Sequence, residues 1–158
     1  DAEVPVLKQL MDVYEDCEGS VLGVQEVPKD RVSSYGVVKP VAVKERLWRA
    51  DDLVEKPSVE EAPSRLAVLG RYIISPEIFG ILEKTEPGRG GEIQLTDALK
   101  KLSEREPVYA YEFEGRRYDV GDKQGYLEAT VDFALKQPDL REPFLRYLLK
   151  TVGKETGV

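Results

Sequence analysis

Four short runs in this chain hold the residues best suited to chemistry. In Tyr35-Gly36 the glycine carries no Cβ, so a ligand can come close to the backbone there; the same dipeptide serves equally as a simple turn. In Val54-Glu55-Lys56-Pro57 a carboxylate that accepts hydrogen bonds from hydroxyls stands beside an ammonium that attracts phosphate. Together they suit a sugar phosphate, and left exposed they are an ordinary solvated charge pair. Adjacent strand residues point to opposite faces, so both can serve one pocket only if the strand ends or twists here. Pro57 gives it a reason to end. Gly91-Glu92-Ile93-Gln94-Leu95-Thr96-Asp97-Ala98 reads as the packing face of a helix, with Glu92 favouring its start through the helix dipole. In Tyr118-Asp119-Val120-Gly121-Asp122 a carboxylate beside a glycine is a ligand for a hard cation, or else Asp119 or Asp122 caps the helix that follows.

Absences narrow the chemistry further. The chain has no histidine, which removes His-based triads, His general bases and His-ligated zinc. With a single cysteine, Cys17, any metal would have to be held by carboxylates, and magnesium or manganese is the natural candidate. No G-x-G-x-x-G and no G-x-x-x-x-G-K phosphate loop occurs. Gly88-Arg89-Gly90-Gly91 is glycine-rich but joins two helical segments, so it reads as a connector.

The elements that must position these residues follow from periodicity. Apolar residues at Val6, Leu7, Leu10, Met11 and Tyr14 predict a helix over Val4 to Asp16, stopped at Gly19. Ser20 to Val27 reads as a strand closed by Pro28, and Lys29 to Ser34 as a polar turn. An extended piece starts at Tyr35, a charged ribbon runs through Val43, Leu47 and Trp48, and a short strand covers Asp51 to Lys56. Leu66 to Ile74 is nearly all apolar, so it is expected to be a strand buried on both faces. Ser75 as cap and Pro76 at the first position open a helix reaching about Lys84. A second amphipathic helix covers Glu92 to Glu104. Val108 to Phe113 and Arg116 to Tyr118 are expected to form a hairpin about Glu114-Gly115. Two last helices span roughly Lys123 to Lys136 and Arg141 to Val152. Strands alternating with helices argue for an α/β fold with a mixed β-sheet.

Composition bounds the partners. At 158 residues the chain is one domain's length, and 41% hydrophobic content is enough for a core. The net charge of -7 repels nucleic acid and anionic membranes. No run approaches the roughly 18 apolar residues of a membrane span. Asp1 and Glu3 stand where a secretory leader would be basic, and one cysteine suits a reducing compartment, so the expected localisation is cytoplasmic. The abundance of Glu, Lys and Arg, with no asparagine, resembles the bias of proteins from heat-loving organisms.

Taken in order, Tyr-Gly-Val-Val from Tyr35, Val-Glu-Lys-Pro from Val54, Ser64-x-Leu-Ala-Val-x-Gly-Arg-Tyr72, Gly-Glu-Ile-Gln-Leu-Thr-Asp-Ala from Gly91 and Asp119-Val-Gly-Asp-Lys-x-Gly-Tyr126 closely resemble the C-terminal portion of bacterial UTP–glucose-1-phosphate uridylyltransferase, in the sugar nucleotidyltransferase family. The resemblance covers nearly everything from Val24 to the C-terminal helices. It implies an α/β chain forming the C-terminal part of a Rossmann-like nucleotidyltransferase fold, with a mixed sheet and flanking helices and the N-terminal nucleotide-binding part missing. Residues 1–158 would then be one truncated domain, the sugar-phosphate half, with its C-terminal helices from about 123. The implied reaction is magnesium-dependent attack of glucose 1-phosphate on the α-phosphate of UTP, giving UDP-glucose and pyrophosphate. By the same resemblance Gly36 would offer its backbone N–H to the sugar and Glu55 would accept sugar hydroxyls. Lys56, the catalytic residue, would neutralise the sugar phosphate, and Val68 and Tyr72 would line the pocket. Asp119 would be one Mg2+ ligand. Such chemistry needs charges placed around an in-line attack and little covalent help. Without the glycine-rich loop, the uracil-binding strands and the second aspartate of the family, the chain alone is expected not to turn over. A sheet lacking its leading strands is expected to expose an edge and an apolar face, hence to form a homo-oligomer. The alternatives are a non-catalytic sugar-phosphate-binding or oligomerisation module, and an acidic α/β domain whose charges are merely solvated.

Overall fold

The computed structural model describes residues 1–156, which divide into two compact units: Ala2–Gly115, and the residues from Arg116 onward together with Asp1. The larger unit is an α/β assembly. Its strands are β1 (Ser20–Glu26), β2 (Gly36–Lys44), β3 (Leu47–Glu55), β4 (Leu66–Ile73) and β5 (Val108–Glu112), and its helices are α1 (Val6–Cys17), α2 (Glu77–Leu82) and α3 (Leu95–Ser103). The strands pair in the order β1-β4-β2-β3-β5, and β5 returns to β1. That last pairing is parallel and the others are antiparallel, so the sheet is mixed as expected. Each of these five strands has a partner on both sides, and the free sheet edge expected from the sequence is absent among the described residues.

Period-two alternation explains how the sheet is sandwiched. On β1, Leu22 and Val24 face one apolar cluster while Val21 faces another; on β4, Leu66 and Val68 face the first, Ala67 and Leu69 the second. The first cluster is closed by Ile78 and Ile81 of α2 and Ala98, Leu99 and Leu102 of α3, and the second by Leu10 and Val13 of α1. The start of β4 is therefore buried on both faces, as its unbroken apolar run predicts, while Gly70 and Arg71 reach solvent. Leu22 pairs with Tyr72 and Val24 with Val68, so β4 carries two extra residues opposite β1. Gly70, with φ +72, occupies that bulge, where a left-handed backbone favours glycine.

Three local expectations are corrected. The turn after α1 is made by Glu18 in the left-handed region, not by Gly19. Ser75 does not cap α2: its backbone N–H donates to Ser20 Oγ, and its own hydroxyl is buried without a partner among the described residues. The hairpin about Glu114-Gly115 is not formed. β5 instead lies parallel to β1, and no strand covers Arg116 to Tyr118. The side chains of that segment bind α4, Arg116 to Glu128 and Asp132 and the Tyr118 hydroxyl to Asp132, which draws it away from strand pairing.

The smaller unit holds α4 (Lys123–Lys136) and α5 (Pro138–Thr156). Asp122 caps α4, its carboxylate accepting the Gly125 N–H at 3.0 Å. Among the described residues no helix is long and apolar enough to cross a membrane.

Candidate functional site

Register brings the first two candidates together. β2 and β3 pair so that Gly36, the first residue of β2, lies directly opposite Glu55, the last of β3. The Lys56 backbone N–H then donates to the Tyr35 carbonyl at 2.9 Å, and Lys56 adopts a left-handed φ of 44°. This turn resolves the conflict that two adjacent strand residues should face opposite ways. The strand stops at Glu55, and the Lys56 ammonium comes back to lie 3.7 Å from Glu55 Oε1. Glu55 is sheltered, with 15% of its side chain exposed, whereas the Lys56 side chain is 47% exposed. The result is a sheltered carboxylate beside a half-exposed ammonium.

The opposite oxygen of Glu55 is held by a residue to which the sequence assigned only packing. Thr96, in the first turn of α3, donates its hydroxyl to Glu55 Oε2 at 2.6 Å. A Cβ added to Gly36 would fall 2.8 Å from Thr96 Oγ1 and 3.2 Å from Glu55 Oε2. Val68 and Tyr72 of β4 both pack against the α2–α3 cluster. Burial first, and then the Glu55 charge, hold the Tyr72 phenol above its ordinary value. Gly36, Glu55, Lys56 and Thr96, from β2, β3, the turn after β3 and α3, thus meet at one place, and Tyr72 of β4 lies within electrostatic reach of Glu55.

Asp119 belongs to the smaller unit. Its Oδ2 accepts from Arg117 Nη2 at 2.9 Å and its Oδ1 from the Gly121 N–H at 3.2 Å. Asp122 takes the capping role, so the alternative left open by the sequence is settled for that residue alone. Among the described residues no group of three or more His, Cys, Asp or Glu could hold a metal ion. Magnesium is commonly held by one or two carboxylates plus substrate phosphates, and the hard oxygens of Asp119 fit one such position.

The family pattern described as nucleotidyl transferase matches residues 5–136. UTP–glucose-1-phosphate uridylyltransferase of Bacillus subtilis (strain 168) is 47% identical over 154 residues, 98% of this chain and 53% of that protein. Its counterpart in Streptococcus pneumoniae serotype 4 is 50% identical over 153 residues, 96% of this chain and 51% of that protein. Among solved structures, UDP-glucose pyrophosphorylase complexed with UDP-glucose superposes with a TM-score of 0.82 at 44% identity, covering 85% of this chain and 52% of that one. UDP-glucose pyrophosphorylase from Acinetobacter baumanii gives 0.79 at 33% identity, covering 92% and 50%. The chain spans about half the length of the curated relatives it matches. With the family pattern running from α1 to the end of α4, on a mixed sheet flanked by helices, the chain belongs to the nucleotidyl transferase family.

Proposed function

We propose that residues 1–158 are the sugar-phosphate-binding half of a nucleotidyltransferase domain that forms UDP-glucose and pyrophosphate from UTP and glucose 1-phosphate. The observation that carries this reading is the meeting of Gly36, Glu55 and Lys56 at the end of the β2–β3 pair. Glu55 Oε1 accepts a sugar hydroxyl, Lys56 neutralises the sugar phosphate as the catalytic charge, and the Gly36 N–H serves the sugar. Val68 and Tyr72 wall the pocket. The names of the relatives support the choice of UTP, glucose 1-phosphate and UDP-glucose as the ligands.

Asp119 contributes one carboxylate to a magnesium site once its pairing with Arg117 opens. The ion, when bound, offsets the charge of the triphosphate. Alone, the 158-residue chain does not turn over. The protein works in the cytoplasm, a reading supported by its lone cysteine, and as a homo-oligomer, supported by apolar side chains exposed on α4 and α5 such as Leu127, Phe133 and Leu149. A second reading, a sugar-phosphate-binding module without chemistry, is favoured for the isolated chain by the ion pair that engages Asp119.

Calorimetric titration with UDP-glucose and with glucose 1-phosphate tests the central claim. Saturable binding is expected, weakened about tenfold or more by Glu55→Gln or Lys56→Ala, since each removes a charged hydrogen-bonding partner. Failure of both ligands to bind would refute the reading. Pyrophosphate release by the chain alone would refute its inactivity.

A further inference from the structure

We infer that Gly36, Glu55 and Thr96 form one interlocked clamp, in which Thr96 is a positioning residue for Glu55 and Gly36 is required by the room it leaves for the Thr96 hydroxyl. This goes beyond the proposed role of Gly36 as an N–H donor and rests on the reading of Glu55 as a sugar ligand.

Three observations carry it. First, Gly36 is buried and is not among the positive-φ glycines, so its backbone conformation does not demand glycine. What demands it is space: an added Cβ meets Thr96 Oγ1 at 2.8 Å. That oxygen sits one bond from the Thr96 Cβ, on a side chain stiff at χ1, and cannot swing aside as the tip of a long side chain can. Second, the hydroxyl so accommodated spends its single proton on Glu55 Oε2 at 2.6 Å, a short charge-assisted bond. Third, Oε1 of the same carboxylate is turned toward the Lys56 ammonium. Thr96 therefore fixes the plane of the carboxylate and decides which oxygen meets a ligand. A glutamate held this way loses little freedom when a sugar hydroxyl arrives, which is the source of affinity in a preorganised site.

Two double-mutant cycles test the clamp, one without ligand and one with it. In thermal unfolding, Gly36→Ala is expected to lower Tm in the Thr96 background and to have little further effect alongside Thr96→Ala, because the obstructing hydroxyl is gone. In titration with UDP-glucose, Thr96→Val is expected to weaken binding about tenfold, Thr96→Ser to restore it, and Thr96→Val to cost nothing more on top of Glu55→Ala, which leaves Thr96 no carboxylate to hold. Additive Tm losses, or equal affinities for the Val and Ser variants, would overturn the clamp while leaving the sugar-phosphate reading standing. If the unaltered chain does not bind UDP-glucose, that reading falls and the positioning role with it, while the unfolding cycle still decides whether Gly36 makes room for Thr96.

Discussion

By residue type alone Glu55 and Lys56 are equally an ordinary solvated charge pair, and only the ordered set of motifs around them singles them out. Their geometry is not legible locally. The left-handed turn at Lys56 is dictated by the Tyr35 carbonyl across the strand pair, and the partner on Glu55 Oε2 comes from 41 residues away. Thr96 is hidden for the same reason: in a string whose apolar spacing already accounts for a helix, nothing local marks its hydroxyl. Tyr72 offers a probe of the Glu55 charge. Its phenol is held above the usual value near 10 by burial, with the Glu55 charge second, so Glu55→Gln is expected to move the Tyr72 ring-carbon NMR titration back toward that value. The sign for stability follows from the raised value. The contribution is complete below the unfolded phenol's midpoint and is lost as pH rises through the folded one. Tyr72→Phe should accordingly flatten the alkaline fall in stability, read by urea unfolding at increasing pH.

At the level of elements, segments with local start signals match expectation and those shaped by distant partners do not. α4 has the predicted limits, Lys123 and Lys136, because Asp122 marks its start and its caps act locally. α3 is shorter than its apolar pattern suggests: Ile93 lies outside it and is exposed, and the helix begins at Leu95. β2 and β3 join into a hairpin through Arg46 at φ 60°, which the charged ribbon gave no reason to expect; the Arg46 guanidinium is tied to the Glu112 carbonyl and the Glu114 carboxylate. β5 lies between β1 and β3 and not in the expected hairpin, a choice made by tertiary pairing. Because α3 holds Thr96 through its packing, Leu102 is the place to test how site and core are linked. It is fully buried among Leu99, Ile81 and Val108, and Leu102→Ala is expected to cost about 2–5 kcal/mol in urea unfolding.

For the molecule as a whole, the alternation of strands and helices was enough to place it in the α/β class with a mixed sheet, and the ordered motifs were enough for its family. The closure of the sheet was not legible. In place of the expected open edge, parallel pairing of β5 with β1 supplies the last contact, and parallel pairing between segments more than 80 residues apart leaves no local trace. With both sides of every described strand paired, self-association is expected to use side-chain surfaces and not strand addition. The exposed Leu127, Phe133, Leu145 and Leu149 of the helical unit offer such a surface. Light scattering is expected to report a mass above 17.8 kDa, falling toward it in Leu127→Glu or Leu149→Glu.

The conformation of Lys56 has a consequence for how this pocket can change over time. A long side chain in the left-handed region is under local strain that glycine would relieve, yet in the proposed role glycine would bring no ammonium to a sugar phosphate. Stability and ligand charge therefore pull this one position in opposite directions. Under the proposed role, easing the backbone here with glycine or asparagine would come only with loss of the positive charge set beside Glu55.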